Sequence, residues 1–142
     1  MAALVKPSER FQSVVEPQFA EYLADASSEL RAINLARAID HHLDWTYEYH
    51  SRIEPSRLLG ATELKKFRSV LIGLCPELKM LWDISDAAHH RFLTHGTTPA
   101  RTVVTSTDAF TNRQNELWVK HYNRPFLPAA TTAVDFWRRW PD

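Results

Sequence analysis

Two stretches of the chain concentrate the groups able to move protons or hold ions: Asp40-His41-His42-Leu43-Asp44 and Asp83-Ile84-Ser85-Asp86-Ala87-Ala88-His89-His90. Each sets carboxylates beside imidazoles, the combination used for general acid–base work and for ion binding. On a helix, at 100° per residue, Asp83, Asp86 and His90 fall within about 60° of one another and form a polar edge. Asp86 and His90 are four apart, so the carboxylate can fix the imidazole tautomer and raise its basicity. His89 points toward the apolar stripe beside Ser85, as a hydrogen-bonded core histidine does. In the first stretch Arg37, Asp40, His41, Asp44 and Glu48 share the face opposite an apolar stripe, and His42 sits at the stripe's margin. Two outward faces would make a solvated surface with short-range ion pairs; two faces meeting across a groove or a dimer interface would make a site.

Two chemistries fit such a site. Asp40, His41, Asp44, Asp86 and His90 are oxygen and nitrogen donors of the kind that bind zinc, manganese or iron in helical bundles. The Glu-x-x-His pairs of carboxylate-bridged bundles do not occur in the chain, so neither a metal nor another cofactor is expected. The second chemistry is metal-independent RNA cleavage, in which imidazole carries protons and guanidinium stabilises the phosphorane-like transition state. Arg37-Ala38-Ile39-Asp40-His41-His42 supplies both groups. Five positions rotate by about 140°, so Arg37 shares a face with His41 and not with His42. The candidate catalytic residues are Arg37, His41, His42, Asp86 and His90.

The elements that must position these residues are helical. A first helix is expected over residues 8–26, kinked or split by Pro17 unless that proline opens a new first turn. A second, capped by Ser27 or Ser28, carries the stripe Ala32, Leu35, Ala36, Ile39, Leu43, Thr46, Tyr47 and His50. A third runs from Thr62, its expected cap, to Leu71 and stops near Gly73. Pro76-Glu77 opens a fourth, with Leu78, Leu81, Trp82, Ser85, Ala88, His89 and Phe92 on its stripe and an end near Gly96. Beyond Gly96 the texture changes. Arg101 to Ser106 reads as a strand or extended arm, and Glu116 to Tyr122, followed by Asn123-Arg124-Pro125, as one arm of a small hairpin. A short final helix over residues 129–140 docks Ala133, Phe136, Trp137 and Trp140.

The predicted fold is therefore mainly α: a four-helix bundle with a C-terminal extended arm or small hairpin and a short final helix. A chain of 142 residues with 44% apolar content can bury about two-thirds of its unfolded surface, which fits one domain over 1–142, with the bundle at 8–95 and the arm and helix at 96–142. Three glycines against eight prolines disfavour a β-sandwich. No apolar run reaches a membrane span and the start does not read as a signal peptide, so no membrane partner is expected. The single cysteine, Cys75, cannot make an internal disulfide, and the expected setting is reducing and cytoplasmic.

Seventeen basic groups balance seventeen acidic ones, which argues against a general polyanion binder. Residues 1–50 carry four basic and eight acidic groups. Any nucleic-acid surface would lie later, around Arg52, Arg57, Lys65, Lys66 and Arg68.

The four-helix plan, the Arg37-to-His42 spelling and the Trp82-to-His90 segment resemble the HEPN superfamily of small helical, usually dimeric domains. Cys75-Pro76-Glu77-Leu78 through His90, followed by Thr102-Val103-Val104-Thr105-Ser106, is similar to uncharacterised bacterial and phage proteins near that group, and the resemblance spans residues 28–107. It implies a homodimer that binds RNA or nucleotide, with metal-independent ribonuclease activity open to it. His90 and His41 would then transfer protons, Asp86 would orient His90, and Arg37 would contact phosphate. In active members the arginine–histidine motif lies on a late helix; here that helix carries Asp86 and His90 without a suitably placed upstream arginine. The alternatives are a non-catalytic protein-interaction or structural module, using the aromatic and basic Phe136-Trp137-Arg138-Arg139-Trp140, and a metal-dependent hydrolase.

Overall fold

A computed structural model describes residues 4–94 and 109–141, the side chains of 89–94 excepted. The expected arm over Arg101 to Ser106 lies outside the described residues. Helix α1 (Pro7–Arg10) passes through a π-turn at Phe11–Val15 into α2 (Glu16–Ala24). Pro17 explains the widened turn: it has no N–H to donate, and its ring crowds the carbonyl four residues back. It sits in the first turn of α2, and the helix runs on through the π-turn rather than stopping there.

Helix α3 (Glu29–Ile53) is the axis of the fold, and Ser28 caps it by accepting the Arg31 N–H at 3.2 Å. Its stripe is buried as expected, apart from a partly buried Tyr47. Ile33, Ala38 and His42 are buried too, because α3 is flanked on several sides rather than one. A 3₁₀ turn (Pro55–Leu58) follows, then Leu59 and Gly60 with φ of 54° and 85°. Helix α4 (Leu64–Leu74) starts later than its sequence signals: Thr62 is not the cap, and Glu63 occupies that position with no side-chain cap bond. Helix α5 (Glu77–Thr94) begins directly after Pro76, as expected, and packs along α3.

The C-terminal part is a three-stranded antiparallel meander, β1 (Phe110–Arg113), β2 (Glu116–Val119) and β3 (Arg124–Pro125), rather than a single hairpin. Gln114 and Asn115, with φ of 54° and 66°, make the two-residue β1–β2 turn whose twist matches the strands. The expected arm Glu116 to Tyr122 is cut at Val119 by a turn ending in Asn123 (φ 49°), and Arg124–Pro125 return to pair with Val119 and Trp118. The final helix, α6 (Phe126–Arg138), starts three residues before its expected position. Ala129, Ala130 and Ala133 are fully buried on it and let its backbone approach the bundle closely. Phe126 packs edge-on to Tyr22 at 5.1 Å, and Trp137 edge-on to His42 at 4.7 Å. Among the described residues, no helix is long and apolar enough to cross a membrane.

Candidate functional site: the polar seams of α3

The acids and imidazoles of α3 divide between three directions. His42 faces inward. It is 1% exposed, lies between the Phe11 and Trp137 rings, and receives Arg10 Nη1 at Nδ1, 3.0 Å away. An imidazole that accepts from a guanidinium there must be neutral at that nitrogen. Burial, and then the Arg10 charge, push its pKa down to about 3. The sequence places His42 at the margin of the stripe; the structure puts it inside, because α1 and α6 close over that side of α3.

Asp40 and Asp44 turn sideways to α4. Arg68 Nη1 lies 2.6 Å from Asp40 Oδ1, and Nη2 lies 2.8 Å from Asp44 Oδ1. The guanidinium also stacks 4.6 Å from the centroid of Trp82 on α5. One planar fork thus joins three helices. Burial raises the Asp44 pKa, and Arg68 pulls it the other way.

Arg37 and His41 face outward, and both are exposed. His41 lies in an open groove of about 620 Å³ with Arg10, Asp44, Trp45, Tyr47, Glu48 and Leu64. Both carboxylates of this groove are already matched, Asp44 by Arg68 and Glu48 by Arg52, and one Arg10 N–H is spent on the neutral His42. Trp45 is fixed from α1's side by its Nε1 bond to the Val5 carbonyl, 2.9 Å.

In the second cluster, Asp83 turns to the meander rather than to α3. Asp83 receives Lys79 Nζ at 3.0 Å and the hydroxyl of Tyr122, which ties α5 to the meander. Asp86 is exposed. His90 lies on α5, but its side chain, with that of His89, is outside the described residues. Among the described residues no three His, Cys, Asp or Glu side chains converge as metal ligands do.

The basic surface expected from Arg52 to Arg68 is largely spent. Arg52 pairs with Glu48, Arg57 with Glu54 at 3.3 Å, and Arg68 is held half-buried in its clamp, leaving Lys65 and Lys66 exposed. Cys75 is buried, and its thiol is pushed up to about 11 by burial and by Glu77, so it is a poor nucleophile.

The C-terminal aromatics split. Trp137 is core. Phe136 and Trp140 are half-buried and line a groove of about 410 Å³ with Leu74, Cys75 and the exposed Arg139. Trp140 Nε1 donates to His50 Nε2 at 3.1 Å.

Arg10, Arg68, Trp82 and Tyr122 were not singled out as partners by the sequence. They lie 32, 28 and 39 residues from His42, Asp40 and Asp83 for Arg10, Arg68 and Tyr122 respectively, a separation at which spacing carries no signal. Comparison with protein-family models, curated proteins and solved structures returns no match.

Proposed function

We propose that the chain is a non-catalytic protein-interaction module. The observation that carries this reading is the internal matching of the polar clusters: Arg10 occupies His42, and Arg68 occupies Asp40 and Asp44. A catalytic acid–base pair needs groups that reach substrate and titrate near the working pH. A buried neutral histidine and two clamped carboxylates instead fix helices in place. The recognition surface under this reading is the groove between α4 and α6. It combines an exposed Leu74, two half-buried aromatics and Arg139, the residue types favoured at interface centres. A cytoplasmic, reducing setting fits the single buried thiol.

A second reading keeps the HEPN resemblance: a homodimer that binds RNA or nucleotide and cleaves RNA without metal. The exposed Arg37 and His41, one turn apart on the same face of α3, favour it. Incubation of pure protein with RNA, with and without EDTA, separates the two. The interaction module leaves RNA intact under both conditions, whereas EDTA-resistant cleavage abolished by His41→Ala supports the second reading.

A further inference from the structure

The groove between α4 and α6 has a complementary surface elsewhere on the same chain. Leu23 and Leu30 are 50% and 62% exposed, and they flank the junction between α2 and α3. Around them stand Glu21, Asp25 and Glu29 with one cation, Arg31, whose guanidinium donates to the Glu21 carbonyl at 3.0 Å, so the corner presents two apolar knobs in a rim that is acidic on balance. The groove presents the reverse. Leu74, 60% exposed, with Phe136 and Trp140, makes an apolar trough beside Arg139. Its rim carboxylates are already paired, Glu77 with Arg124 at 3.4 Å and Asp135 with Arg138 at 2.9 Å. Among the described residues no carboxylate pairs with Arg139, so the charge left to offer a partner is positive.

One copy cannot dock its own corner. The corner sits at the start of α3, whereas the Trp140 end of the groove packs on His50, roughly 30 Å further along that helix at 1.5 Å per residue. We propose that the occupant of the groove is the α2–α3 corner of a second copy, with Leu23 and Leu30 seated against Leu74, Phe136 and Trp140 and the acidic rim facing Arg139. This rests on the interaction-module reading and names its partner. Two different patches make a head-to-tail contact, which grows into a ring or a filament rather than stopping at a two-fold dimer.

The test is sedimentation equilibrium on the full chain, with Leu30→Asp, Leu74→Asp and Arg139→Glu variants. The altered residues are exposed, and circular dichroism checks that each variant folds. Wild type should exceed the 16.4 kDa monomer mass with rising concentration, and each variant should associate at least about tenfold more weakly. Each leucine variant keeps one intact patch, so an equal mixture of Leu30→Asp and Leu74→Asp should recover a species of twice the monomer mass. A wild type that stays monomeric overturns the proposal, as does a mixture that stays monomeric or variants that associate like wild type. Those failures leave the module reading standing with another protein as partner; cleavage of RNA is what would remove that reading.

Discussion

Arg10 and His42, 32 residues apart, form a part-buried cation–imidazole contact in which Arg10 Nη1 lies 3.0 Å from His42 Nδ1. The contact holds only while the imidazole is neutral, and it fastens α1 to the centre of α3. It turns a histidine that reads as a catalytic candidate into an acceptor inside the core.

That relationship sets a pH dependence. The folded state keeps His42 neutral down to about pH 3, while the unfolded chain protonates it near the ordinary imidazole value of 6.5. Below pH 6.5 the unfolded state therefore binds more protons, and this group's contribution is lost as pH falls from 6.5 toward 3, at about 1.4 kcal/mol per unit. Urea unfolding at a series of pH values should show stability falling over that window. His42→Asn, which retains an acceptor, should flatten the slope; an unchanged slope would place the titrating group elsewhere.

Arg68 is expected to be the costliest arginine to remove. Arg68→Ala strands Asp40, whose side chain is only 11% exposed, and frees the half-exposed Asp44. The expected loss is about 3 kcal/mol in chemical denaturation. Arg68→Lys should not restore it, since an ammonium can neither fork across two carboxylates nor stack flat on Trp82. A fully stable lysine variant would show that charge alone holds the seam.

Tyr122 anchors the meander to α5 through Asp83. Tyr122→Phe should cost about 1.5 kcal/mol, the low end for a hydrogen bond to a charged group because the site is partly exposed. Faster amide exchange should be confined to β2, β3 and the turn between them. Uniform destabilisation would mean that the bond supports the whole core.

Trp137 and Arg139 should separate core from surface. Trp137 is 3% exposed against His42, Phe136 and Trp140, so Trp137→Ala should lose about 4 kcal/mol of stability. Arg139→Glu should leave the unfolding midpoint almost unchanged. A large shift from the surface change would move Arg139 into the structural framework.

The helices were legible because each rests on local signals. Ser28 and Pro76 mark starts, and the stripe from Ala32 to His50 repeats at helical spacing. The type of the C-terminal region was legible as a hairpin, but its third strand was not: Arg124–Pro125 is too short to carry a pattern, and its turn reads the same whether or not the chain pairs again. The site was the least legible part. Helical geometry correctly put Arg37 and His41 on an outer face, but the inward turn of His42 depends on α1 and α6, and the fate of Asp40 and Asp44 depends on Arg68. Such partners belong to tertiary packing, which periodicity does not encode.

The Arg10–His42 contact and the Arg68 clamp on Asp40 and Asp44 tie helices of the bundle together, and under the proposed reading the chain does not cleave RNA, which an RNA-cleavage gel checks. Pure wild type, His41→Ala and His90→Ala would each be incubated with single-stranded RNA, with and without EDTA. Intact RNA in every lane is the expected result. Wild-type cleavage that survives EDTA and disappears with either histidine substitution would contradict it.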